Sequence, residues 1–175
     1  MKLKLRYIFI IFIVFLYAHP VFAQTPAFPT PVDYKLPYPG ILPDHPLYRF
    51  KKIRDFIIYS LNRSPQKRIE LNLLFADKKI VMAQTLLEKR ETDLAVDTLL
   101  DSQMDLFKAA SLLPVLSEKN ILPVGLSDKI SLSSQKHSEI INMIYTSVSD
   151  LSQKEKVTEA QKLNNQAKSQ IKTVK

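Results

Sequence analysis

An all-α fold, a four- to five-helix bundle behind a signal peptide and a proline-rich extended linker, follows from three features of the chain. Apolar residues recur at alternating spacings of four and three over several long stretches. Seven of the 11 prolines crowd into residues 24–46, and no stretch keeps the period-two alternation of a half-buried strand. A length of 175 residues suits one domain with a leader and a linker, at roughly 100–200 residues per domain.

The leader comes first. Lys2, Lys4 and Arg6 precede the apolar run YIFIIFIVFLYA, and Val21-Phe22-Ala23 forms a small-residue cleavage site ahead of Gln24. Residues 1–23 are therefore expected to be a signal peptide that exports the chain to a secreted or cell-surface location. The alternative is an uncleaved anchor that tethers it, although the run is shorter than the about 20 apolar residues that span a bilayer.

Residues 24–43 form the linker, stiffened because each proline fixes φ and extends its predecessor. Its second half, with Tyr38, Ile41 and Leu42 around Gly40, is too apolar for a free tether, and Leu36 to Leu42 is expected to dock on the helical body.

The helical domain is expected over 44–175. A first helix over about 44–62 has Asp44 as N-cap, Pro46 in its first turn and Leu47, Phe50, Ile53, Ile57 and Leu61 on one inward face. A second, over about 64–90, restarts at Ser64-Pro65 and carries Ile69, Leu73, Ala76, Ile80, Ala83 and Leu87 as a core stripe; the short joint makes the pair an antiparallel hairpin. A third, over about 92–113, begins at Thr92 or Asp93 and stops at Pro114. After the breaker-rich SEKNILPVGLS, a fourth covers about 127–152, with Ser134 and His137 interrupting its inner face. A thinner apolar stripe over about 154–173 either extends the fourth helix or frays.

The opening PYPGILPDHPLYRFKKIRD, with the Pro-Gly-x-x-Pro-Asp-x-Pro-Leu-Tyr-x-x-Lys pattern of Pro39, Gly40, Pro43, Asp44, Pro46, Leu47, Tyr48 and Lys51, together with Leu73 to Lys79, resembles a family of bacterial extracytoplasmic all-helical domains of unknown function. The resemblance implies a structural signature with no catalytic role and no known substrate. Arg90 departs from the family, whose chains usually have Gly after Glu-Lys, so the turn after the second helix is expected to lack its left-handed residue.

Chemistry-bearing patterns are sparse. With no Cys, no Trp, 2 Gly and 3 His, thiolate catalysis, Cys-zinc sites and disulfides are excluded, glycine-lined phosphate loops are not expected, and no cofactor or metal is expected. Asp93, Asp97, Asp101 and Asp105 recur every four residues and read as one edge of the third helix, either offset by basic neighbours or serving as a docking stripe for a basic partner. His137 reads as a packing histidine, because no second ligand lies at metal spacing. The net charge of +8 falls to +5 without the leader and alternates along the chain, so nucleic acid is not expected as a partner. These features point to a non-catalytic exported interaction or structural module of the cell envelope. Its partner would be an envelope protein or an anionic wall polymer or lipid surface, and it would be a monomer or weak oligomer. The alternative is a helical ligand-binding or chaperone-like cradle. N-terminal sequencing of extracytoplasmic protein should begin at or near Gln24; an intact Met1 in the membrane fraction would favour the anchor.

Overall fold

Ile69, Leu73, Ala76, Ile80 and Ala83 are all buried, so the four-three stripe of the second predicted helix is the seam on which the bundle assembles. The computed structural model describes residues 31–174; the expected signal peptide and the first part of the linker lie outside the described residues. Its helices are α1 (Tyr48–Leu61), α2 (Pro65–Glu88), α3 (Thr92–Ser111), the short α4 (Leu113–Glu118), α5 (Leu126–Ser147) and α6 (Leu151–Lys172), and the described residues contain no strand. The fold is all-α.

α2, α3, α5 and α6 form the bundle as two antiparallel hairpins, α2–α3 and α5–α6, lying side by side. Near one end, Ile69 and Leu73 share an apolar cluster with Ala110, Leu113, Ile130 and Ile171. Near the other, Ile80 and Ala83 share a second cluster with Val96, Leu99, Ile144 and Val157. α3 packs extensively on α6 as well as on α2, and the two run parallel: Asp97 pairs with Lys156, and Gln103 meets Asn164.

Several boundaries differ from the sequence expectation. Asp44 does not cap α1; the helix begins after Leu47, and the Asp44 carboxylate instead takes Lys89 at the end of α2, 2.6 Å away. Glu91, not Thr92 or Asp93, occupies the N-cap of α3, which stops at Ser111. Pro114 does not end a helix but lies in the first turn of α4, where its missing N–H costs nothing. Gly125, at φ 79°, precedes α5, which ends at Ser147. The tail neither extends α5 nor frays: Asp150 accepts from Gln153 N, and Val157, Ala160, Ala167 and Ile171 are buried. Arg90 supplies the left-handed turn residue itself, at φ 66°.

The largest correction concerns α1. It buries none of its residues, and the face expected inward is exposed, with Phe50 70% and Leu61 77% accessible. Antiparallel placement along α2 is kept by contacts at both ends: Lys51 Nζ lies 3.6 Å from Met82 Sδ, and Arg68 donates to Asn62 O.

The segment before α1 docks through Leu36, the first residue of the stretch expected to lie on the body, whereas Tyr38 is 85% exposed and Ile41 is exposed too. Val32 N donates to Glu139 Oε1 of α5, the Tyr34 hydroxyl donates to Asp77 Oδ2 of α2 at 2.6 Å, and Leu36 packs on the second apolar cluster. Burial and the adjacent Asp77 carboxylate push the Tyr34 hydroxyl pKa well above its ordinary value. Tyr34→Phe should therefore destabilise the fold by about 1–3 kcal/mol, the range for losing a hydrogen bond to a charged group, with helix content retained. Urea unfolding followed by circular dichroism would test this, and an unchanged midpoint would mean that the segment only rests on the surface.

Candidate functional site

Between the two apolar clusters lies a polar layer to which every long bundle helix contributes. Asp77 (α2), Gln103 (α3), His137 (α5) and Asn164 (α6) are all buried. Their hydrogen bonds share one direction. Lys168 Nζ donates to Ser138 Oγ at 2.6 Å, Ser138 shares its proton between Asn164 Oδ1 and its own helix's Ser134 O, Asn164 Nδ2 donates to Gln103 Oε1 at 3.0 Å, and Gln103 Nε2 to His137 Nδ1. With its proton on Nε2, His137 completes the chain by donating to Asp77 Oδ1 at 3.1 Å, the same oxygen that accepts from Ser133. The chain ends on the buried Asp77 carboxylate, which Tyr34 also reaches. Burial lowers the pKa of Lys168.

The layer contains Ser, His and Asp but is not arranged for nucleophilic attack. The Ser133 hydroxyl donates to the Asp77 carboxylate rather than to the imidazole, so the serine–histidine hydrogen bond of a nucleophilic triad is not formed, and the group is enclosed by packed helices. Sequence reasoning placed His137 as a packing residue, and it is one. It missed Asp77, although an aspartate next to Ala76 on the core stripe was a readable sign of a buried carboxylate.

The predicted motif residues meet at a second place, a buckle at the start of α1. Gly40 takes φ 74°, a conformation that strains any side-chain-bearing residue, and Lys51 Nζ donates to the carbonyls on either side of it, Pro39 O at 3.0 Å and Ile41 O at 3.1 Å. Pro43, Pro46 and Leu47 lie in the turns that lead into Tyr48, and Lys89 beside Asp44 holds that carboxyl below its ordinary range. The spacing of the motif is thus that of a lysine reaching back over one turn.

Below α1 opens a cleft of about 340 Å³. α1 supplies Tyr48, Lys52 and Tyr59, which lie on the face opposite its exposed apolar stripe at 100° per residue. α2 supplies Asn72, Phe75, Lys79 and Met82, a second four-three stripe beside the core stripe in the sequence. The Tyr48 ring is half-buried there, and burial, with Asp101, Asp55 and Asp105 nearby, pushes its hydroxyl up to about 12.

The aspartate row does not share one edge. Each four-residue step advances about 40° around a helix of 3.6 residues per turn, so the row winds from α6 to α2. Asp93 is held by Gln153 and Asp97 by Lys156 at 2.7 Å; Lys79 lies 4.0 Å from Asp101 and 2.7 Å from the buried Asp105, which Lys108 also reaches. Among the described residues, no group of three or more His, Cys, Asp or Glu could hold a metal ion, and no helix is long and apolar enough to cross a membrane.

Burial, reinforced by Lys78, Arg54 and Lys79 against the pull of Asp55, lowers the Lys51 ammonium from its ordinary 10.5 to about 8. Because the folded value lies below the unfolded one, folding expels a proton between the two, and this group's contribution to stability rises with pH from about 8 to about 10.5. The melting-temperature advantage of the wild type over Lys51→Met should widen across that window; a constant gap would contradict the assignment.

Residues 40–175 match the family model described as Domain of unknown function (DUF5667). No curated protein and no solved structure matches the chain.

Proposed function

We propose, from the premise that the chain belongs to the DUF5667 family, that it is a non-catalytic exported module of the cell envelope whose working element is α1, laid on an anionic lipid surface. The observation that carries this reading is the outer face of α1. Phe50, Ile53, Ile57 and Leu61 form a continuous stripe that the bundle leaves in water, at a cost of roughly 25 cal/mol per Å² of apolar surface that an apolar phase would recover. Arg49 and Arg54 flank the stripe. Within α1, Arg49, Lys51, Lys52 and Arg54 outnumber the single Asp55. An amphipathic helix of this composition suits the headgroup boundary, where its apolar side enters the acyl region and the flanking Arg49 and Arg54, unlike the cleft-side Lys51 and Lys52, meet anionic lipids. The same cations would repel a second copy docked on the same face.

The polar layer supports the non-catalytic part of the reading, because its Ser, His and Asp face one another inside packed helices. Export rests on the sequence of residues 1–23, which would bring the domain to a membrane face. The buckle at Pro39 to Lys51 is then the device that fixes the first turn of α1 while its outer face stays uncovered.

The absence of Trp gives a direct test. Ile53→Trp should blue-shift its emission on addition of phosphatidylglycerol vesicles at low salt, less so near 1 M salt, where the Debye length is about 3 Å, and not with phosphatidylcholine. Val124→Trp, in a fully exposed loop, should not respond. The absence of a shift at Ile53 with anionic vesicles would sink the proposal.

A further inference from the structure

We propose that the cleft beneath α1 is a binding site for a small carboxylate with an apolar tail, of the fatty-acid class. This does not depend on membrane docking, because the cleft uses the inner face of α1 and the lipid reading uses the outer one.

Three observations converge. The volume of about 340 Å³ falls at the small end of ligand pockets, which run from roughly 300 to 1,000 Å³, and this limits the occupant to a small molecule. Tyr48, Phe75 and Met82 give the walls an apolar part, which suits a hydrocarbon tail rather than a sugar or nucleotide. The charge is unbalanced in one direction. Every carboxylate of the cleft is engaged: Asp55 by Arg54, Asp101 and Asp105 by Lys79, and Asp105 also by Lys108. Among the described residues, the ammoniums of Lys52 and Lys78 have no hydrogen bond or ion pair, and Lys51 spends its donors on carbonyls and a thioether. One carboxylate would complete the set.

Asn72 supplies an independent sign. It lines the cleft, is 2% exposed, and its Nδ2 is, among the described residues, the buried side-chain polar atom without a hydrogen-bond partner. An amide donor left unpartnered at such burial costs stability; its nitrogen is closed off from the cleft, so an acceptor there removes that cost once the Asn72 side chain turns outward.

The test is calorimetric titration of sodium decanoate into the protein recovered at its native length. Saturable binding is expected, with decanol much weaker because it lacks the charge. The Lys52→Gln/Lys78→Gln double variant should bind decanoate about tenfold or more weakly, the scale of losing charge-assisted hydrogen bonds. Asn72→Leu should melt higher than the wild type while binding less decanoate, a combination that a purely structural asparagine would not give. Ile53→Ser, which disables the outer face, should leave decanoate binding intact. Absence of saturable binding, equal affinity for decanol, or indifference to both the lysine and Asn72 substitutions would overturn the site. Loss of binding in Ile53→Ser would move the molecule to the outer face of α1 and overturn it as well.

Discussion

The hydrogen-bond chain from Lys168 to Asp77 is the constraint on which the rest of the structure depends. An apolar stripe can slide by a turn against another apolar stripe at modest cost, but a buried donor cannot slide away from its acceptor without losing one to three kcal/mol, an order-of-magnitude figure. Four helices each place one polar residue at the same level, so the register of all four is set at once, with an apolar cluster above and another below. Because every donor points the same way, the bonds polarise one another, and the run from an ammonium to a carboxylate gains from that alignment.

The same layer explains why the proline-rich segment belongs to the domain. Asp77 accepts from His137, Ser133 and Tyr34, and the last of these comes from outside the bundle. Tyr34 thus closes the polar layer from the α2 side, and Val32 and Leu36 fasten the segment on either side of it. From there the chain has only the Pro-Gly turn in which to reverse into α1, and Lys51 holds that turn from within the helix it precedes.

α1 is consequently fixed at its ends and not along its length. The buckle and Asp44–Lys89 hold one end, and Arg68 on Asn62 O holds the other. A helix suspended in this way leaves space beneath it and an uncovered apolar stripe above it. The cleft and the outer face are two consequences of one attachment.

The helices of the bundle were legible in the sequence because local periodicity and breakers determine them. The stripe from Ile69 to Ala83 was read with its burial, and Ser64-Pro65 marked a true start. The motif at Pro39 to Lys51 was visible as a pattern, though not as a lysine clamping a glycine turn. Periodicity says which residues share a face and nothing about what that face meets. Phe50, Ile53, Ile57 and Leu61 therefore read as core although they face water, and Asn72, Phe75, Lys79 and Met82 passed unnoticed although they line the cleft. The aspartate row was likewise visible, while its division between α6 and α2 depended on helix twist and on neighbours distant in sequence. Local backbone preference and hydrophobic spacing thus determined where helices form. Tertiary structure alone decided which faces are buried and where Asp77 finds its three donors, because those partners lie 43 to 60 residues away along the chain and meet only when the bundle closes.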